Sequence, residues 1–138
     1  MRKLALSDEI LLTVQQPARY IGGEVNCVMK DPSLVDIRFA MKDKNEVDIR
    51  FAMCFPDVYE IGMSHLGMQI LYAMFNKRDD VWCERLFSPW TDLDKVMREQ
   101  HIPLFALESQ DPVKNFDFLG FTIQYEMCYT NILQVLDL

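Results

Sequence analysis

The chain has 138 residues, half of them hydrophobic and a quarter charged, the composition of a single folded domain with a buried core. Its net charge is −7 and its basic residues are scattered, as at Lys42, Lys44, Lys77, Arg78, Lys95 and Arg98, so no nucleic-acid surface is expected. No apolar run reaches the roughly 20 residues that span a bilayer, and Asp8 and Glu9 come too early for a secretory signal, so a cytoplasmic protein with no membrane partner is expected.

Ser7 to Val14 reads as a short helix with Ser7 as its N-cap. Pro17-Ala-Arg-Tyr-Ile-Gly-Gly-Glu24 breaks it, and Gly22-Gly23 implies a tight turn or a close backbone approach. Residues 1–28 thus form a helix and an extended lead-in, and residues 29–138 form an α/β domain.

That domain opens on a tandem duplication. Met29-Lys-Asp-Pro-Ser-Leu-Val-Asp-Ile-Arg-Phe-Ala40 is followed directly by Met41-Lys-Asp-Lys-Asn-Glu-Val-Asp-Ile-Arg-Phe-Ala52, identical at nine of twelve positions. Two copies of this length are too few and too short for a solenoid. Each carries the strand alternation Val-x-Ile-x-Phe-x-Met. The second copy runs straight into the polar segment after Cys54, so Val47–Met53 is expected to be the core strand. Val35–Met41 is then an added strand, antiparallel to it through Lys42–Glu46, or an unpaired loop.

After Met53 comes Cys54-Phe-Pro-Asp-Val-Tyr-Glu-Ile-Gly-Met-Ser-His65, read as a loop, and then a helix over Ser64–Asn76 with an apolar face. Val81–Phe87 is a strand. Thr91 caps a helix to about Gln100, with Asp92 and Asp94 in its first turn. Ile102–Leu107 is a short strand with Pro103 near its start, Pro112–Asn115 a turn or brief helix, and Phe116–Gln124 the last strand. Thr130 begins a final helix whose apolar face is Ile132, Leu133, Val135 and Leu136. Alternating strands and helices give an α/β, Rossmann-like, mainly parallel sheet with helices on both faces, and a fold of this kind usually continues with at least one more strand.

In such sheets ligands sit outside the carboxyl ends of the strands, where helix N-termini also offer free N–H groups. Three groups of residues fall there. The first is Pro56, Asp57, Tyr59, Glu60, Gly62, Ser64, His65 and Gly67. Glu108 and Ser109 form the second, and Gln124, Tyr125, Thr130 and Asn131 the third. His65 reads first as a partly buried histidine bonding the loop backbone, and second as a neutral ring ligating a metal or touching a ligand. Gly62 and Gly67 either admit a ligand or give the helix room against the sheet. Asp57 and Glu60 are read as solvated or capping before they are read as acid–base groups. Thr130 is at least a helix cap, and Trp90 reads first as a packing anchor and second as a ligand platform. Cys27, Cys54, Cys83 and Cys128 form no Cys-x-x-Cys pair, so buried reduced thiols are expected rather than a metal site, and the nine methionines are core filler. No nucleophile elbow, phosphate loop or metal set is present, and no catalytic residue is assigned.

Several stretches carry a family likeness. Pro17–Glu24, Phe51–Tyr72, Phe87-Ser-Pro-Trp90, Ile102-Pro-Leu-Phe-Ala-Leu-Glu-Ser109 and Phe116–Asn131 together resemble the N-terminal region of a family of bacterial radical-SAM proteins. In that family a cobalamin-binding-like α/β domain precedes a radical-SAM barrel. The resemblance implies cobalamin as a ligand of the candidate residues and a downstream barrel of the same polypeptide as the partner. The [4Fe–4S] cluster and S-adenosylmethionine would belong to that barrel, since the Cys-x-x-x-Cys-x-x-Cys loop does not occur here. The Asp-x-His-x-x-Gly motif that puts a histidine under cobalt is also incomplete: Met63 stands in place of its aspartate and Met68 in place of its glycine. Cobalamin is therefore implied by fold-level likeness alone, with a purely structural docking domain as the alternative.

Overall fold

The structure, a computed structural model, describes residues 6–28 and 47–138. Three parallel strands lie in the order β2-β1-β3, with β1 at Ile49–Phe55, β2 at Val81–Phe87 and β3 at Phe118–Phe121. Ile49 pairs with Val81 and Phe55 with Phe87, while Phe51 pairs with Phe118 and Cys54 with Phe121. Parallel strands need crossovers. Here α2 (Tyr59–Ser64) and α3 (Leu66–Asn76) join β1 to β2, α4 (Thr91–Gln100) follows β2, and α5 (Tyr129–Asp137) follows β3.

Strand alternation divides the core in two. Met53, Phe55, Cys83 and Phe87 face α3, whose Met68 and Tyr72 are buried against them. Cys54 and Leu86 face the other side, among Leu93 and Met97 of α4 and Val135 of α5. Leu6, Val14 and Tyr20 join this second cluster, so the lead-in is part of the fold's core. The sheet thus has helices on both faces, as the sequence pattern predicts.

Other expectations change at their edges. The first helix shortens to α1 (Asp8–Leu11), with Ser7 accepting from the Ile10 N–H as N-cap. Gly22 and Gly23 do turn the chain, at φ of 65° and 86°, and a Cβ on Gly22 would lie 2.6 Å from the Leu107 carbonyl oxygen. The supposed loop through Tyr59 and Ser64 is helix α2, and a break at His65 separates it from α3. Trp90, not Thr91, is the N-cap of α4, and it makes no side-chain cap bond. Thr130 is likewise not a cap: it lies inside α5, after a 3-10 turn at Glu126–Cys128, and its hydroxyl donates to the Met127 carbonyl.

Ile102–Leu107 does not form a strand. It makes a single antiparallel bridge, Phe105 to Pro112, and one bond to the sheet, from the Leu107 N–H to the Arg85 carbonyl. The expected strand is replaced by side chains. The Glu108 carboxylate accepts the Arg85 N–H at 2.7 Å, and the Asn76 amide both donates to and accepts from the Cys83 backbone, at 2.9 and 3.0 Å. These groups close the outer edge of β2. Residues 35–41 lie outside the described residues. Because β1 carries β2 on one edge and β3 on the other, neither edge is left for the expected antiparallel partner.

Candidate functional site

The candidate rim lies where β1, β2 and β3 end, and Asp57 ties the three exits together. Its N–H donates to the Phe55 carbonyl and its own carbonyl accepts from the Ser88 N–H, beyond β2. Its carboxylate accepts from the Val58 N–H at 2.8 Å and from the Tyr125 hydroxyl, beyond β3, at 3.1 Å. Asn131 adds a fourth tie, donating from α5 to the Pro56 carbonyl at 2.9 Å. The structure therefore brings Pro56, Asp57, Tyr125 and Asn131 together, as their positions after the strands predict. The adjacent carboxylate raises the Tyr125 phenol above its usual range.

Tyr59 and Glu60 begin α2 and turn toward the lead-in. The Tyr59 hydroxyl donates to Glu24 at 2.9 Å. Burial, with Glu24 beside it, pushes that phenol up to about 12. Glu60 pairs with Arg19 at 2.7 Å, and the Arg19 guanidinium lies 5.5 Å from the Trp90 ring centre. Arg19 and Glu24 were not singled out from the sequence. A cation and an anion flanking the Gly22-Gly23 turn were the available signal.

Gly62 makes room for the helix. A Cβ there would lie 2.2 Å from the Phe87 ring and 3.2 Å from Phe55, so only glycine lets α2 seat on the strand ends. Gly67 is exposed, and a Cβ there would meet only the His65 ring. The Ser64 hydroxyl donates to the Glu60 carbonyl, which closes α2.

His65 is the N-cap of α3. Its Nδ1 accepts from the Met68 N–H at 3.2 Å, and its ring packs 5.0 Å from that of Phe55. A nitrogen that accepts from a backbone amide carries no proton, so the neutral ring has its proton on Nε2. Neither nitrogen then offers a free lone pair to cobalt. The ring as placed does not fit the role of an axial ligand, and its bonding to local backbone matches the first sequence reading.

Glu108 and Ser109 do not stand on the rim. Glu108 is buried under β2, where it receives the Arg85 Nε at 2.6 Å, and Arg85 itself is fully buried. Arg85 also reaches Asn26 and Glu24 and lies 4.5 Å from the Tyr72 ring centre. Burial, with Glu84 nearby, pushes the Glu108 carboxyl up to about 7 against the pull of Arg85. Ser109 belongs to a second network on the other face of the sheet. Arg50 there bonds Glu84 at 2.5 Å, Asp111 at 2.9 Å and the Ser109 hydroxyl at 3.3 Å, with the rings of Trp82 and Phe116 close by. Adjacent charges at Glu84-Arg85, inside an otherwise apolar strand, were the unread signal for both networks.

Gln124 is exposed beside the rim. A cavity of about 30 Å³ opens at the end of β2, lined by Tyr20, Tyr59, Phe87, Ser88 and Trp90 among others. A water needs roughly 10–15 Å³ on this measure, so the space has room for about two or three waters. The Ser88 hydroxyl, buried in this wall, has no partner among the described residues. All four cysteines are buried thiols, and burial raises Cys27 to about 12 and Cys54 further, which makes these two poor nucleophiles. Among the described residues no cluster could hold a metal ion, and no helix is long and apolar enough to cross a membrane.

No curated protein and no solved structure matches the chain. The family described as radical SAM proteins, N-terminal, matches residues 67–138, which is 72 of the 138 residues and spans α3 to the end of α5. The chain belongs to the family of N-terminal domains of radical SAM proteins.

Proposed function

We propose that this chain is the N-terminal module of a larger radical SAM protein and that its rim at the strand ends is a docking face for the catalytic barrel. One observation carries the reading. Ile123, Tyr125, Met127 and Tyr129, which follow β3, are 57%, 46%, 80% and 54% exposed. An apolar row of this kind beside a rigid polar rim marks a surface that a partner covers. Asp57 and Asn131 hold the exits of the strands in place, so the face is preformed. The barrel supplies the [4Fe–4S] cluster and S-adenosylmethionine, and no residue of this chain enters the chemistry.

Two measurements test this. Hydrogen exchange over residues 123–129 is expected to slow in the longer protein relative to the 138-residue chain; equal rates would end the docking reading. Titration with hydroxocobalamin tests the finer, cobalamin-binding role. An unchanged visible spectrum is expected, because the Nδ1 of His65 is already engaged by the Met68 N–H. A shift in the spectrum would restore that role.

A further inference from the structure

The two edges of the sheet are treated differently. Residues Cys83 and Arg85 of β2 point their backbone groups outward, and Asn76, Glu108 and Leu107 occupy them. On β3 the Thr122 N–H bonds the Cys54 carbonyl, so Phe118, Gly120 and Thr122 face β1 in the parallel ladder. The outward groups are then the N–H and C=O of Leu119 and Phe121, and among the described residues no strand lies beyond them. Neither a charge nor a proline guards this edge, whose four residues are Phe-Leu-Gly-Phe. Such an edge invites a strand.

The handedness of the connections says which strand. β1 crosses to β2 with α3 on one face, and β2 crosses back past β1 to β3 with α4 on the other. Opposite directions on opposite faces give the two the same hand, and roughly 98% of such crossovers are right-handed. Val135 and Leu138 place α5 on the same face as α4. A right-handed crossover that starts at β3 and passes through α5 on that face continues in the same direction as β2 to β3. It ends on the outer side of β3.

We infer that the outer edge of β3 receives a parallel strand from the polypeptide that follows α5, giving the order β2-β1-β3-β4. This rests on reading the chain as the N-terminal module of a longer protein. It places the domain boundary beyond β4: the sheet is completed before the barrel begins. Leu133 and Leu136, 66% and 60% exposed on α5, are available to the segment that leads into that strand.

Amide-resolved hydrogen exchange tests the pairing. In the dilute 138-residue chain Leu119 and Phe121 are expected to exchange fast while Gly120 and Thr122 are protected. In the longer protein all four are expected to be slow, with Leu119 and Phe121 retarded by orders of magnitude. Fast exchange at both positions in the longer protein overturns the inference. Protection already present in the dilute chain overturns it too, because residues 29–46 would then supply the partner. Protection that grows with chain concentration would instead point to a second copy on this edge, and also counts against it. The radical-SAM reading fails separately, by the absence of a cluster absorbance after the longer protein is reconstituted with iron and sulfide.

Discussion

Single residues decide how the ends of the strands are held. Gly62 has no space for a side chain because the Phe87 ring fills it. Gly62→Ala is expected to lower stability by about 1–3 kcal/mol through overpacking, read as a lower urea midpoint. Glu108 carries the pH dependence. Its folded-state value of about 7 lies above its ordinary 4.5, so the folded protein holds an extra proton between those two values. Its contribution is full below the lower value, declines as pH rises through the window, and is flat above it. Glu84 is raised by burial and adds a slope of the same sign. Urea midpoints measured across this window should fall as pH rises, and Glu108→Gln should flatten the fall. A midpoint that rises over the same range would contradict the assignment. The room that Gly62 gives the helix is one of the two readings open from the sequence, whereas the burial of Glu108 is not legible there. The sequence pattern puts Glu108 on the rim after a strand, but its burial depends on Arg85, which lies 23 positions away.

At the level of elements, the strands of the sheet are the most legible part of the sequence. Val81–Phe87 was read with its final bounds, and the central strand shifted only from 47–53 to Ile49–Phe55, because a buried parallel strand is a short apolar run between breaks. Ile102–Leu107 looked equally apolar but stayed irregular. The edge it would have paired with is taken by Glu108 and Asn76, polar side chains whose reach no periodicity reports. Helix α2 was missed because glycine and proline nearby read as loop, whereas Phe87 makes the glycine necessary. His65 as a cap lies outside the usual Ser, Thr, Asp and Asn. Asn76→Ala is expected to cost about 1–3 kcal/mol, since it removes both hydrogen bonds between the amide and the Cys83 backbone. Calorimetry on the variant would measure it, and an unchanged Tm would mean that water replaces the amide without loss.

For the molecule as a whole, the central position of β1 bears on the duplicated twelve residues. Ile37, Arg38, Phe39, Ala40 and Met41 repeat Ile49, Arg50, Phe51, Ala52 and Met53, so five of the seven residues of β1 exist twice. The repeat then ends. Lys42 and Asp43 stand where the second copy has Cys54 and Phe55, which are 0% and 4% exposed. The first copy can begin the central strand but cannot finish it without burying two charges. That makes the slot selective at equilibrium and ambiguous while the chain is still collapsing. Refolding is accordingly expected to split into a fast phase and a slow one, the slow molecules having first seated the wrong copy and having to release it. Stopped-flow fluorescence of Trp82, on the strand beside this slot, would report both, and deletion of residues 29–40 should leave the fast phase alone. A single refolding phase in the intact chain would show that the two copies never compete. If they do compete, the repeat slows the arrival of the fold without altering its destination.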